Sequence, residues 1–147
     1  MTRALTLARG ENDAGSFTLE LAVLAPALLA LLGLVVAAGR VEIAGGAIDA
    51  AARDGARAAS LARSASAAQT AALSTASASL SSQHMDCQSL TVTVNTSGFG
   101  APLGTPASVR VHVTCQVPLA DVALPGLPGS KSLQATFSSP LDPYRSH

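Results

Sequence analysis

The chain has 147 residues, enough for one small domain beside a membrane segment. Charged residues make up 12% and aromatic residues 3%, and much of the 48% apolar content is alanine, which excludes a large soluble core built on bulky side chains. A formal net charge of zero gives no electrostatic case for nucleic-acid binding.

Residues 1–15 read as a leader. Arg3 and Arg9 make its start basic, and Gly10, Glu11 and Asp13 form a polar approach to Gly15. A conventional secretory signal runs from its basic region straight into an apolar core and ends in a small-x-small site. Acidic residues intervene here, although Val36-Ala37-Ala38 supplies a small-residue site beyond the apolar run and keeps that reading open. The stretch Gly15-Ser16-Phe17-Thr18-Leu19-Glu20 resembles a type IV prepilin cleavage region, in which a short polar leader ends in glycine and precedes an apolar helix whose fifth residue is glutamate. The resemblance implies cleavage after Gly15 by a prepilin peptidase, which leaves Ser16 as the first mature residue. It also implies that Glu20 pairs with the free amine of a neighbouring subunit during assembly. Elementary chemistry suits both steps: glycine lets a peptidase draw the backbone close, and a carboxylate near a helix start complements the helix dipole. The competing reading makes Glu20 an interfacial carboxylate of a one-pass anchor; the cost of ionisable groups at membrane depth favours a function.

From Leu21 to Gly39 no residue is charged. As an α-helix this run is about 28 Å long, close to the hydrocarbon thickness of a bilayer. Residues 16–40 are therefore expected to form a transmembrane helix that lies in the lipid bilayer. Pro26 falls inside it, where packing in a membrane compensates for the lost hydrogen bond, and similarity to pilin-like helices implies a mild kink there. Leu28, Leu29, Leu31, Leu32 and Leu34 supply a lipid-facing surface, and Gly33, Ala37, Ala38 and Gly39 allow close helix contact without a strict G-x-x-x-G. Arg40 ends the span and reaches the head groups. Arginines on both sides of the run leave orientation open. The leader and the two cysteines favour an internal amino terminus and an extracytoplasmic remainder.

Residues 41–82 form an alanine-rich segment with serine, threonine, arginine and leucine and no proline. Helix is expected to about Arg63, with fraying from Ser64 to Ser82 as hydroxyl side chains accumulate. At 100° per residue Ala47, Ala51, Gly55, Ala58 and Ala62 share a narrow stripe that another helix could approach closely, opposite Glu42, Asp49, Arg53 and Arg57. A solvated alanine-rich spacer is the alternative. Gly39-Arg40-Val41-Glu42 and Ala50-Ala51-Ala52-Arg53-Asp54-Gly55-Ala56-Arg57-Ala58-Ala59, taken with Glu20-Leu21-Ala22 and Pro26, resemble the TadE-like family over about residues 15–60. These are small pilin-like proteins encoded with the tight-adherence (Flp, type IVc) pilus machinery.

In residues 83–147 the period changes to two. Leu90, Val92 and Val94, then Val109 to Val117, then Leu133, Ala135 and Phe137 alternate with polar residues, which predicts three strands with one buried face each. Ser97–Pro106 and Pro118–Lys131 are the turn-rich connections. Three strands cannot cover both faces alone, so their apolar face is expected to pack on the helix between about Ala50 and Leu80. Cys87 and Cys115 come together if the first two strands pair, and a disulfide there adds about 3–4 kcal/mol in the chain-entropy model. Two buried free thiols are the rival. His84 and His112 lie near these cysteines, but the spacing is not that of a zinc site.

The fold expected is α+β and pilin-like, a long amino-terminal transmembrane helix with a small antiparallel sheet on its outer half. No G-x-S-x-G, H-E-x-x-H or glycine-rich phosphate loop occurs, so no enzymatic activity, cofactor or metal is expected. The resemblance implies a minor pseudopilin whose partners are the prepilin peptidase, other pilins and the pilus assembly platform, with no nucleic acid. The alternative is an anchored or secreted extracytoplasmic binding module, which the shortage of aromatic residues disfavours.

Overall fold

In this computed structural model the backbone is described over residues 12–122, 126 and 128–144, and side chains from Glu20 onward except Val122. Residues 1–11 of the expected leader and Arg145 of the tail lie outside the described residues. The elements are α1 (Asn12–Ser60), α2 (Ala65–Ser82), β1 (Ser89–Asn95), a 3-10 turn (Ser97–Gly100), β2 (Ala107–Pro118), α3 (Leu119–Val122) and β3 (Ser130–Leu141). The chain divides within α1 into two compact units, Met1–Val36 and Ala37–His147.

Within the described residues the first unit is one helical segment. The second unit begins with the carboxy-terminal half of α1, where alanine favours helix. α1 ends at Ser60, whose hydroxyl donates to the Arg57 carbonyl at 2.8 Å, and two tight turns close Leu61 and Ala62 onto Ala58 and Ala59. The expected single fraying helix is therefore corrected. Ser64 starts a new helix, its Oγ accepting from the Ala67 N–H at 3.2 Å as an N-cap. The hydroxyls do not melt α2. Thr70, Ser74, Ser77 and Ser82 donate to carbonyls three or four residues back on the exposed face, while Ala68, Ala72, Ala76 and Leu80 form a buried row at every fourth position. α2 folds back along α1, with Asp54 accepting from the Ser79 hydroxyl at 2.9 Å.

The sheet has the order β1-β2-β3 and is antiparallel throughout, the meander that the alternating pattern predicts. β1 and β2 pair from Ser89↔Gln116 to Asn95↔Arg110. β2 and β3 pair from Ala107↔Leu141 to Pro118↔Ser130. β2 and β3 run past their expected ends. Pro118 belongs to β2 and Ser130 and Lys131 to β3, and the tail Pro140-Leu141 closes β3 instead of standing apart. Val109, Val111, Val113, Cys115 and Val117 turn their side chains inward and are fully buried, as β-branched residues on a half-covered sheet favour. They form one core with Ala44, Ile48, Ala51, Ala52, Ala56 and Ala59 of α1 and the α2 row. The α+β arrangement, a long apolar helix followed by a small antiparallel sheet, is the one expected.

Candidate functional site

The functional residues read from the sequence fall into three places. Gly15 and Ser16 lie in the helical backbone of α1. Glu20 follows and is exposed. Beyond it Leu21, Val23, Leu24, Leu28, Leu29, Leu31, Leu32 and Leu34 are each at least half exposed. So many large apolar side chains open to solvent on one helix mark a surface meant for another medium. Among the described residues one helix is long and apolar enough to cross a membrane; it runs over Glu20–Ser60 with a mean hydropathy of 2.7 in its most apolar stretch, none of which is buried. Pro26 lies inside α1 and removes the hydrogen bond to the Ala22 carbonyl.

The second place is the small-residue face of α1. Ala47, Ala51 and Gly55 are buried, whereas Ala58 and Ala62 are half-buried. A Cβ on Gly55 would lie 3.2 Å from the Ala72 carbonyl oxygen, 3.6 Å from the Ala76 methyl and 3.6 Å from Val111. The approach is to α2 of the same chain and to the sheet beneath. The stripe is one flank of a wider buried arc that includes Ile48, Ala52, Ala56 and Ala59. Those four were not singled out from the sequence because a narrow stripe assumes one neighbour, and this helix segment has two. Glu42, Asp49, Arg53 and Arg57 are exposed. The Arg53 guanidinium stands 5.4 Å from the centre of the Phe137 ring, a cation–π contact that a helical-wheel reading does not reach.

The third place is the sulfur pair. Cys87 and Cys115 form a disulfide with their Cα atoms 5.4 Å apart. It ties the α2–β1 link to the central strand, because Cys115 stands opposite Leu90 in the β1–β2 register. With both sulfurs in the bridge neither is a thiolate, so the free-thiol alternative falls. His112 turns to the outer face of the sheet, between the hydroxyls of Thr136 at 2.7 Å and Thr114 at 3.1 Å. Among the described residues no group of three or more His, Cys, Asp or Glu side chains is placed to hold a metal ion.

The first unit carries an exposed apolar helical run long enough to cross a membrane, and the second is a folded module in which the small-residue face is packed. No curated protein and no solved structure matches the chain. A family model, TadE-like protein, matches residues 15–57. That span begins at the glycine before Ser16 and takes in Glu20, Pro26 and the small-residue face as far as Arg57. Over that segment, less than half of the chain, the protein is similar to the TadE-like family.

Proposed function

We propose that this protein is a non-enzymatic structural component of a tight-adherence (type IVc) pilus or a related secretion system, a minor pseudopilin trimmed after Gly15 by a prepilin peptidase. The observation that carries the proposal is the coincidence at one helix start. The TadE-like match begins at Gly15, Glu20 stands where the fifth mature residue would be, and the charge-free run begins at the next position. The helix anchors the chain in the cytoplasmic membrane with its amino terminus inside and the β module outside. After trimming, Glu20 meets the new amine of a neighbouring subunit at the edge of the bilayer, where a carboxylate and an ammonium desolvate one another less expensively than either alone. The pilins, the assembly platform and the peptidase are the partners on this reading. Because the Gly15–Ser16 bond lies within α1, the peptidase must open the helix there before it cuts.

Mass spectrometry of the mature amino terminus tests the first step. A chain that starts at Ser16 is expected, and one that starts at Met1 or Gly39 rejects the proposal. Glu20→Gln tests the second: membrane insertion is expected to persist while incorporation into filaments falls at least tenfold, as read by immunoblot of the sheared pilus fraction.

A further inference from the structure

β1 and β3 are the two edges of the sheet, and their sequences differ in a way that matters. β3 carries Lys131 and Pro140, two of the devices by which an edge resists pairing with another chain. β1, Ser-Leu-Thr-Val-Thr-Val-Asn, has no charge and no proline. It pairs with β2 residue for residue from Ser89 to Asn95, so no bulge twists it away. Its inward side chains are incompletely covered. Leu90, Val92 and Val94 are half-buried, whereas Cys115, Val113 and Val111 opposite them are fully buried. A groove of about 340 Å³ runs beside this edge, lined by Gln69, Thr70 and Leu73 of α2 and by Val92, Thr93 and Val94. Leu73 is 50% exposed, and none of the six is charged.

We propose that β1 is a strand-addition surface whose occupant is β1 of a second copy of this chain, paired antiparallel about a two-fold axis at Val92. An uncharged edge beside an uncharged groove offers no counter-charge to a charged strand. A second β1 meets it without repulsion. Pairing about Val92 sets Leu90 against the partner's Val94 on the inner face and Thr91 against the partner's Thr93 on the outer face, so polarity matches on both. Main-chain hydrogen bonds hold the strands, as in other strand additions, and Leu73 of each copy closes over the groove. The contact is isologous. It joins two three-stranded sheets into one of six strands and leaves β3, with Lys131 and Pro140, at both outer edges. Growth by strand addition therefore stops at two copies. The inference rests on the folded module alone and holds whether or not the chain serves a pilus.

The test is the mass of the full-length protein in detergent, measured by light scattering or sedimentation over a range of concentrations. The wild type is expected to be a dimer. In Thr91→Lys/Thr93→Lys both substituted side chains are on the exposed outer face, and like charges then face each other twice across the proposed pair. Its dimer is expected to weaken by roughly tenfold or more, with the circular dichroism and melting temperature unchanged. Should that variant fail to fold, Leu73→Glu on the exposed side of α2 is decisive instead, with the same weakening expected. A monomeric wild type overturns the proposal. So does a dimer of unaltered strength in the folded double-lysine variant, since the contact would then belong to the membrane helix.

Discussion

His84 is in the left-handed region, at φ 55°, a conformation that costs a residue with a Cβ about 1 kcal/mol or more. The cost is borne because the position closes α2. The Met85 N–H donates to the Leu80 carbonyl at 3.0 Å and the His84 N–H to the Ser81 carbonyl at 3.1 Å, the hydrogen-bond pair of a Schellman ending. Glycine is the residue suited to that site. His84→Gly is expected to stabilise the folded module by about 1 kcal/mol, seen as a rise of a few degrees in its melting temperature. Nothing in the sequence marks His84 as the cap, since histidine is an unusual choice there and the Ser-Ser-Gln-His run carries no stop signal. Gly55 was half legible. Its place among small residues indicates a close approach, but that the approaching backbone is that of Ala72 depends on a fold-back the residues around Gly55 do not encode.

The strands were the most legible elements. Alternation from Leu90 to Val94 and from Val109 to Val117 gives their middle and the face they bury, though not their ends, and in the structure the inward set of β2 is the buried set. The place of the boundary between α1 and α2 was legible in the rise of hydroxyl residues from Ser64, but that a second helix starts there was not, because the segment contains no glycine or proline to mark a turn. It rests on Ser64, one serine among many, taking an extended conformation with φ −143° and ψ 159° and capping Ala67. Hydroxyls that argue for fraying in an isolated helix become harmless when they bond back along the exposed face and the alanine row packs inward. Ser64→Ala is therefore expected to cost about 1 kcal/mol. Amide exchange should then rise first in residues 65–70, ahead of the sheet. Loss of protection spread evenly through the module would mean that the cap does not define the start of α2.

At the scale of the whole molecule the sequence conveys two parts, an apolar helix long enough to cross a membrane and a small α+β module. Its limit is the core. Alanine supplies most of the helical side of that core, and a buried alanine methyl contributes only about 0.8 kcal/mol. The disulfide therefore carries an unusual share of the module's stability. Removing it with Cys87→Ser/Cys115→Ser is expected to cost about 3–4 kcal/mol, on the entropy of a loop whose ends are 28 residues apart. A urea midpoint shift much smaller than this corresponds to would show that the packed helices hold the sheet unaided.

The same bridge also keeps a record of where the chain has been. Thiols stay reduced in a cytosol and oxidise in an envelope or extracellular space, so a molecule that never left its compartment of synthesis would lack the link between Cys87 and Cys115. Alkylation of whole cells followed by a non-reducing gel would thus sort exported copies from stranded ones, without a tag, by the state of two sulfur atoms.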